Sequence, residues 1–99
     1  MAKIKDVSKE SLKVIELMNK DKLFKKIKVY KYENYNVFYC ITHYDALHIS
    51  ASTPQGPASK EVLICIFKKL TNKPIENFKF LKTSRVSYFL EEDNNLLNW

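Results

Sequence analysis

Residues 37–70, VFYCITHYDALHISASTPQGPASKEVLICIFKKL, hold two alternating runs, a Pro/Gly break and the most apolar segment of the chain. Val37 to His43 and Ala46 to Ser52 read as strands of period two. Leu63, Ile66, Phe67 and Leu70 then fall at i, i+3, i+4 and i+7, the helical template. A buried strand competes here, because Val62 to Phe67 is unbroken and rich in β-branched residues. Ser59 as a cap, Glu61 in the first turn, the Lys68-Lys69 ending and the length decide for a helix. Two strands feeding a core helix are the unit on which the flanks must pack.

The pairing of those strands follows from the link between them. A two-residue link at Tyr44-Asp45 would pair His43 with Ala46, Ile41 with His48 and Cys40 with Ile49. Phe38, Cys40, Thr42, Leu47, Ile49 and Ala51 would then share an apolar face, assigned to the core. Tyr39, Ile41, His43, His48 and Ser50 would share a mixed face, where binding or chemistry is expected.

Upstream, Ser8 reads as the N-cap of a first helix, with Val7 stapled onto Leu12. Leu12, Ile15 and Met18 form its stripe, widened by Val14 and Leu17, with Lys13, Glu16 and Lys20 toward water. From Phe24 the period changes to two: Ile27 and Val29 point one way, Lys28, Tyr30 and Tyr32 the other. Downstream, Phe78 and Phe80 mark one strand and Val86, Tyr88 and Leu90 another, across a Thr83-Ser84-Arg85 turn. Leu96-Leu97-Asn98-Trp99 reads as a docked apolar end. The order is α-β-β-β-α-β-β: an α+β fold with an antiparallel sheet of about five strands and two helices packed on one face. At 99 residues, with one Gly and three Pro, residues 1–99 read as a single domain without linkers.

Charge is uneven. Residues 1–31 carry ten lysines against Asp6, Glu10, Glu16 and Asp21, which accounts for the whole net charge of +6. Lys20, Lys22 and Lys25 gather at the junction of first helix and first strand. Lys26 and Lys28 share a side of that strand with Tyr30 and Tyr32. Such a face attracts phosphates or an acidic protein surface, and tyrosines among lysines suit stacking of single-stranded bases or a protein hot spot. A lysine-rich, arginine-poor chain is also what an A/T-rich genome encodes, which leaves a merely solvated face as the alternative. Arg85 is the only arginine, so bidentate reading of base edges is not expected.

Other chemistry has less support. Cys40, His43, Asp45 and His48 resemble a zinc set in composition, but Cys40 and His43 lie an odd number apart and point to opposite faces of a regular strand. No metal or cofactor is therefore expected. Cys40 and Cys65 read as small buried residues, or as a disulfide if strand and helix bring them together. His43 and His48, with Tyr39 beside them, offer a metal-free ribonuclease site, one imidazole taking a proton and the other giving one. Two ordinary surface histidines are the competing reading. With one glycine, phosphate-cradling loops are not expected. No apolar run spans a membrane and the lysine-rich start lacks a signal-type core, so a cytoplasmic protein without membrane contact is expected.

His48-Ile49-Ser50-Ala51-Ser52, Pro57, Glu61, Phe67 and the terminal Leu-rich run closing on Trp99 resemble an uncharacterised family of short phage-borne α+β proteins. The resemblance covers roughly the second half of the chain and implies a fold and a mobile-element origin, with no activity attached. Together with the absence of catalytic motifs it leads to the expectation of a small non-enzymatic binding protein. Its partner would be a larger host or viral protein or nucleoprotein assembly, as with inhibitors of bacterial immunity of the anti-CRISPR type. The alternative is a nucleic-acid-binding protein contacting RNA or DNA in its own right, and the third reading is the ribonuclease. The contact residues expected are Lys20, Lys22, Lys25, Lys26, Lys28, Tyr30, Tyr32, Tyr39, His43 and His48.

Overall fold

The computed structural model describes residues 3–82 and 88–93. The elements run β1 (Ile4–Asp6), α1 (Leu12–Met18), β2 (Phe24–Tyr32), β3 (Tyr35–Thr42), β4 (Leu47–Thr53), β5 (Gly56–Pro57), α2 (Lys60–Leu70), a 3-10 turn (Ile75–Asn77), β6 (Phe78–Lys82) and β7 (Tyr88–Glu92). The α+β class agrees with the sequence reading. Among the described residues the sheet has seven antiparallel strands rather than five, in the order β1-β2-β3-β4-β7-β6, with β5 beside β4. The two additions, β1 and β5, are three and two residues long, too short to show a period. The expected turn at 83–85, Val86 and the apolar end at 96–99 lie outside the described residues. Among the described residues no helix is long and apolar enough to cross a membrane.

Helix α2 forms as its sequence dictates. The Ser59 Oγ accepts from the Val62 N–H at 3.3 Å, Glu61 meets the positive end of the helix dipole, and Lys68 and Lys69 meet the negative end. Leu63, Ile66 and Phe67 are buried against Val37, Leu47, Ile49, Ala51 and Leu90 of the sheet. The Phe67 ring meets Phe78 edge-on at 4.7 Å.

The β3–β4 register differs from the expected one by a single residue. Tyr39 pairs with Ile49, Cys40 with His48 and Ile41 with Leu47. The link is three residues, His43 to Asp45, not two. The Thr42 N–H bonds the Ala46 carbonyl at 2.9 Å, and Asp45 takes φ 63°, the left-handed residue that closes a three-residue hairpin. The Thr42 Oγ1 adds acceptance from the Ala46 N–H at 3.0 Å. One residue of slip exchanges the faces of the partner strand. Val37, Tyr39 and Ile41 therefore join Leu47, Ile49 and Ala51 on the face that carries α2, with Val37 in the buried cluster and Tyr39 half-buried at its border. Phe38, Cys40 and Thr42 join His48 and Ser50 on the other face.

Nor do both helices share one face. No α1 residue belongs to the cluster under α2. Ile27, Val29 and Cys40 are nonetheless buried on the opposite face, where the half-buried Ile15 and Met18 supply the cover. The cover is thin: α1 buries no residue fully, and Leu12 and Leu17 are 58% and 75% exposed. Ser8 does not cap α1. Its Oγ accepts from the Val29 N–H at 3.0 Å and reaches the Val29 carbonyl at 3.4 Å, satisfying the edge of β2 beyond the end of β1. The helix begins after Ser11 instead, without a side-chain cap.

Candidate nucleic-acid interface

Strand alternation and the observed register place Lys26, Lys28, Tyr30 and Tyr32 of β2 on the face that carries Tyr39 and Ile41 of β3. Helix α2 covers this face over β4 and β7 and reaches β2 only at its end. There the Tyr32 hydroxyl lies 3.4 Å from the Cys65 Sγ, and the Lys69 Nζ stands 5.7 Å from the centre of the Tyr32 ring. Tyr30 and Tyr39 meet edge to face at 6.0 Å. The result is a patch of half-buried tyrosine rings bordered by three ammonium groups.

Its electrostatics favour an anion. The bond to Cys65 and partial burial push the Tyr32 hydroxyl up to about 12, and burial, with Asp6 and Tyr39 nearby, raises that of Tyr30. Both phenols stay neutral at physiological pH and add no negative charge. Asp6, opposite Tyr30, is one carboxylate at this face, and Glu33, near Tyr32, is another. Hydrogen bonds from Ser8 hold Asp6 below the usual carboxylate range, with Lys28 and Lys26 assisting, so it offsets part of the lysine charge.

The remaining expected site residues fall elsewhere. Lys20, Lys22, Lys25 and His43 line a cavity of about 590 Å³ between the end of α1 and the start of β2. Lys25 also pairs with Asp45 at 2.7 Å across exposed surface. His43 is an exposed loop residue whose Nε2 donates to the Lys22 carbonyl at 2.8 Å. His48 lies on the opposite sheet face from Tyr39, stacked on Phe89 at 4.4 Å and edge-on to Phe24 at 5.8 Å. It lines a second cavity of about 340 Å³ with Ser50, Ser52 and Pro57. The expectation that His43 and His48 share a face with Tyr39 fails for the same reason as the register: the longer loop absorbs His43 and turns His48 away.

Lys69 is the interface residue that sequence reasoning missed. It stands 38 positions from Lys31, the last residue of the basic third, and only packing of α2 brings it to Tyr32. Cys40 and Cys65 are both free, Cys40 buried on the face away from α2 and Cys65 exposed on α2 itself. Burial pushes the Cys40 thiol up to about 11, leaving it unreactive. Among the described residues no three His, Cys, Asp or Glu side chains gather as a metal site. No protein-family model, curated protein or solved structure matches the chain.

Proposed function

We propose that this is a non-enzymatic binding protein that engages single-stranded nucleic acid through the open β2–β3 face. The observation that carries the reading is the shared face of Lys26, Lys28, Tyr30, Tyr32 and Tyr39, which α2 covers only in part and to which it adds Lys69. Rings on a sheet offer stacking surfaces to splayed bases, and each stacked base contributes about 1–3 kcal/mol whatever its identity. Lysines at the border neutralise phosphates as point charges without selecting sequence. Duplex, whose bases are already stacked, gains only the charge term.

Such a strand is presented by a larger nucleoprotein assembly of host or virus. The resemblance of the second half of the chain to short phage-borne proteins extends the proposal to complexes of bacterial immunity, where a guide strand is displayed. That extension rests on analogy of size and charge. The ribonuclease reading has lost its geometric support, since His43 and His48 line different cavities.

The test is fluorescence anisotropy with unstructured RNA, unstructured DNA and duplex. Single strands are expected to bind tighter than duplex of the same length. Tyr39→Leu, which keeps the apolar contact with the core and removes the phenol ring, is expected to weaken single-strand binding about tenfold, the equivalent of roughly 1.4 kcal/mol. Equal binding of single strand and duplex, unchanged in Tyr39→Leu, would reduce the face to a charge effect and remove the stacking role.

A further inference from the structure

The cavity beside the bulge at the start of β2 is more than a gap under a short helix. Phe24 pairs with Thr42 and Lys26 with Ile41, so Lys25 is an extra residue in the ladder. In an unbroken strand Phe24 and Lys26 would share a face. The bulge instead turns Phe24 under α1, leaves Lys26 on the tyrosine face, and sets Lys25 between them. The Asn19 side chain then clasps Phe24, its Nδ2 donating to the carbonyl and its Oδ1 accepting from the N–H, both at 3.0 Å. Lys22 is held at φ 55°, and its carbonyl is tied to His43. Two flanks, one helical and one from the β3–β4 loop, thus fix the short connection that carries the lysines.

The cavity so framed has a floor of Ile15 and Phe24 and a rim of Lys20, Lys22, Lys25 and His43. Glu16 also lines it, and Asp45 pairs with Lys25, so three ammonium groups face two carboxylates. His43 has its Nε2 committed to the Lys22 carbonyl, which ties the β3–β4 loop to the rim. At about 590 Å³ the cavity lies in the roughly 300–1,000 Å³ range of small-ligand sites. An apolar floor with one aromatic ring under a cationic rim fits a nucleotide, with base below and phosphate above.

We infer that this cavity takes the terminal nucleotide of a strand that runs along the tyrosine face, its phosphate monoester held by the lysine rim. The inference rests on the single-strand reading above. A monoester carries close to two negative charges at neutral pH, against one for an internal diester. The two surfaces lie on opposite faces of the sheet and meet at the start of β2, an edge that β1 does not pair. There Lys25 borders the cavity and Lys26 the sheet face, so the bound strand passes round this edge to reach the cavity.

The experiment uses one single-stranded oligonucleotide in three forms, 5′-phosphate, 3′-phosphate and hydroxyl at both ends, with an internal fluorophore. One phosphorylated form is expected to bind about tenfold tighter than the hydroxyl form, the scale of one or two charge-assisted hydrogen bonds. Which end gains gives the polarity of the strand. The double variant Lys20→Gln with Lys22→Asn should erase that gain without moving the melting temperature, asparagine being suited to positive φ. The double variant Lys26→Gln with Lys28→Gln should weaken all three forms alike. If the three forms bind equally to the parent, the terminal site is refuted while the single-strand reading stands. Binding of none of them overturns both.

Discussion

His48 shows how a single side chain carries a condition for stability. Stacked on Phe89 and edged by Phe24, its ring is largely removed from water, and this burial lowers its pKa from the ordinary 6.5, against an opposing pull from Glu91. The native state therefore takes up the proton at a lower pH than the unfolded chain. Between those two values the unfolded state binds more protons, so stability is complete above about pH 6.5 and declines as pH falls toward the native pKa. His48→Phe retains a stacked ring and removes the titration. Its melting temperature is expected to vary less than the parent's between about pH 6.5 and 5. Parallel curves for the two would place the acid sensitivity on other groups. Phe67, 1% exposed and in contact with Phe78, has no such dependence. Phe67→Ala should cost about 3–5 kcal/mol in a denaturant titration, the range for emptying a well-packed aromatic site. A variant that unfolds like its parent would refute the docking of α2 on Ile49 and Leu90.

The elements differ in how firmly they are held. Helix α2 has a cap, a charge pattern matched to its dipole and three buried side chains; α1 has seven residues, no side-chain cap and none buried. Amide exchange should accordingly be slow in α2 and fast in α1, a difference of local opening. The β3–β4 hairpin depends on one backbone angle. Asp45 at φ 63° closes the three-residue loop and pairs with Lys25 at the surface. Asp45→Gly gives up that exposed pair but suits the left-handed conformation, so its melting temperature should stay near the parent's. Asp45→Val keeps neither and should melt clearly lower, because a β-branched residue is strained there. Equal melting of the glycine and valine variants would show that the loop does not require positive φ, and the register built on it would need revision.

On the scale of the whole molecule, the sheet separates two kinds of surface. One face is buried under α2 along β4 and β7 and open at β2 and β3, where Lys26, Lys28 and Lys69 stand around tyrosines. Binding of a single strand releases counterions at about 0.7 per neutralised phosphate on a log-log plot. Changing Lys26, Lys28 and Lys69 together to Gln should flatten that slope by about 2 and lower affinity most at low salt. The melting temperature should hardly change, since among the described residues these ammonium groups form no hydrogen bond or ion pair and only Lys69 touches a ring, that of Tyr32. A triple variant with the parent's slope would show that these lysines are only hydrated. If the surface meets an acidic protein groove instead, the same change should chiefly slow association.

The sequence by itself determined what short-range rules control. The period of residues 60–70 and the cap at Ser59 specified α2, and alternation along 24–32 divided Ile27 and Val29 from Tyr30 and Tyr32. It also located the lysine excess, so most residues of the candidate interface were legible before any fold was known. The tertiary structure alone decided which of them meet. A loop longer by one residue moved Phe38 and Cys40 off the α2 face, brought Tyr39 onto it and parted His48 from His43. The bulge at Lys25 divided the basic run between a sheet face and a cavity, and α2 added a lysine from far along the chain. Side-chain direction in a strand reverses with each residue, so pairing outcomes turn on loop conformations that leave only a faint trace in composition. Periodicity is a property of neighbours in the chain, whereas register is set by the packing of elements that are distant in it.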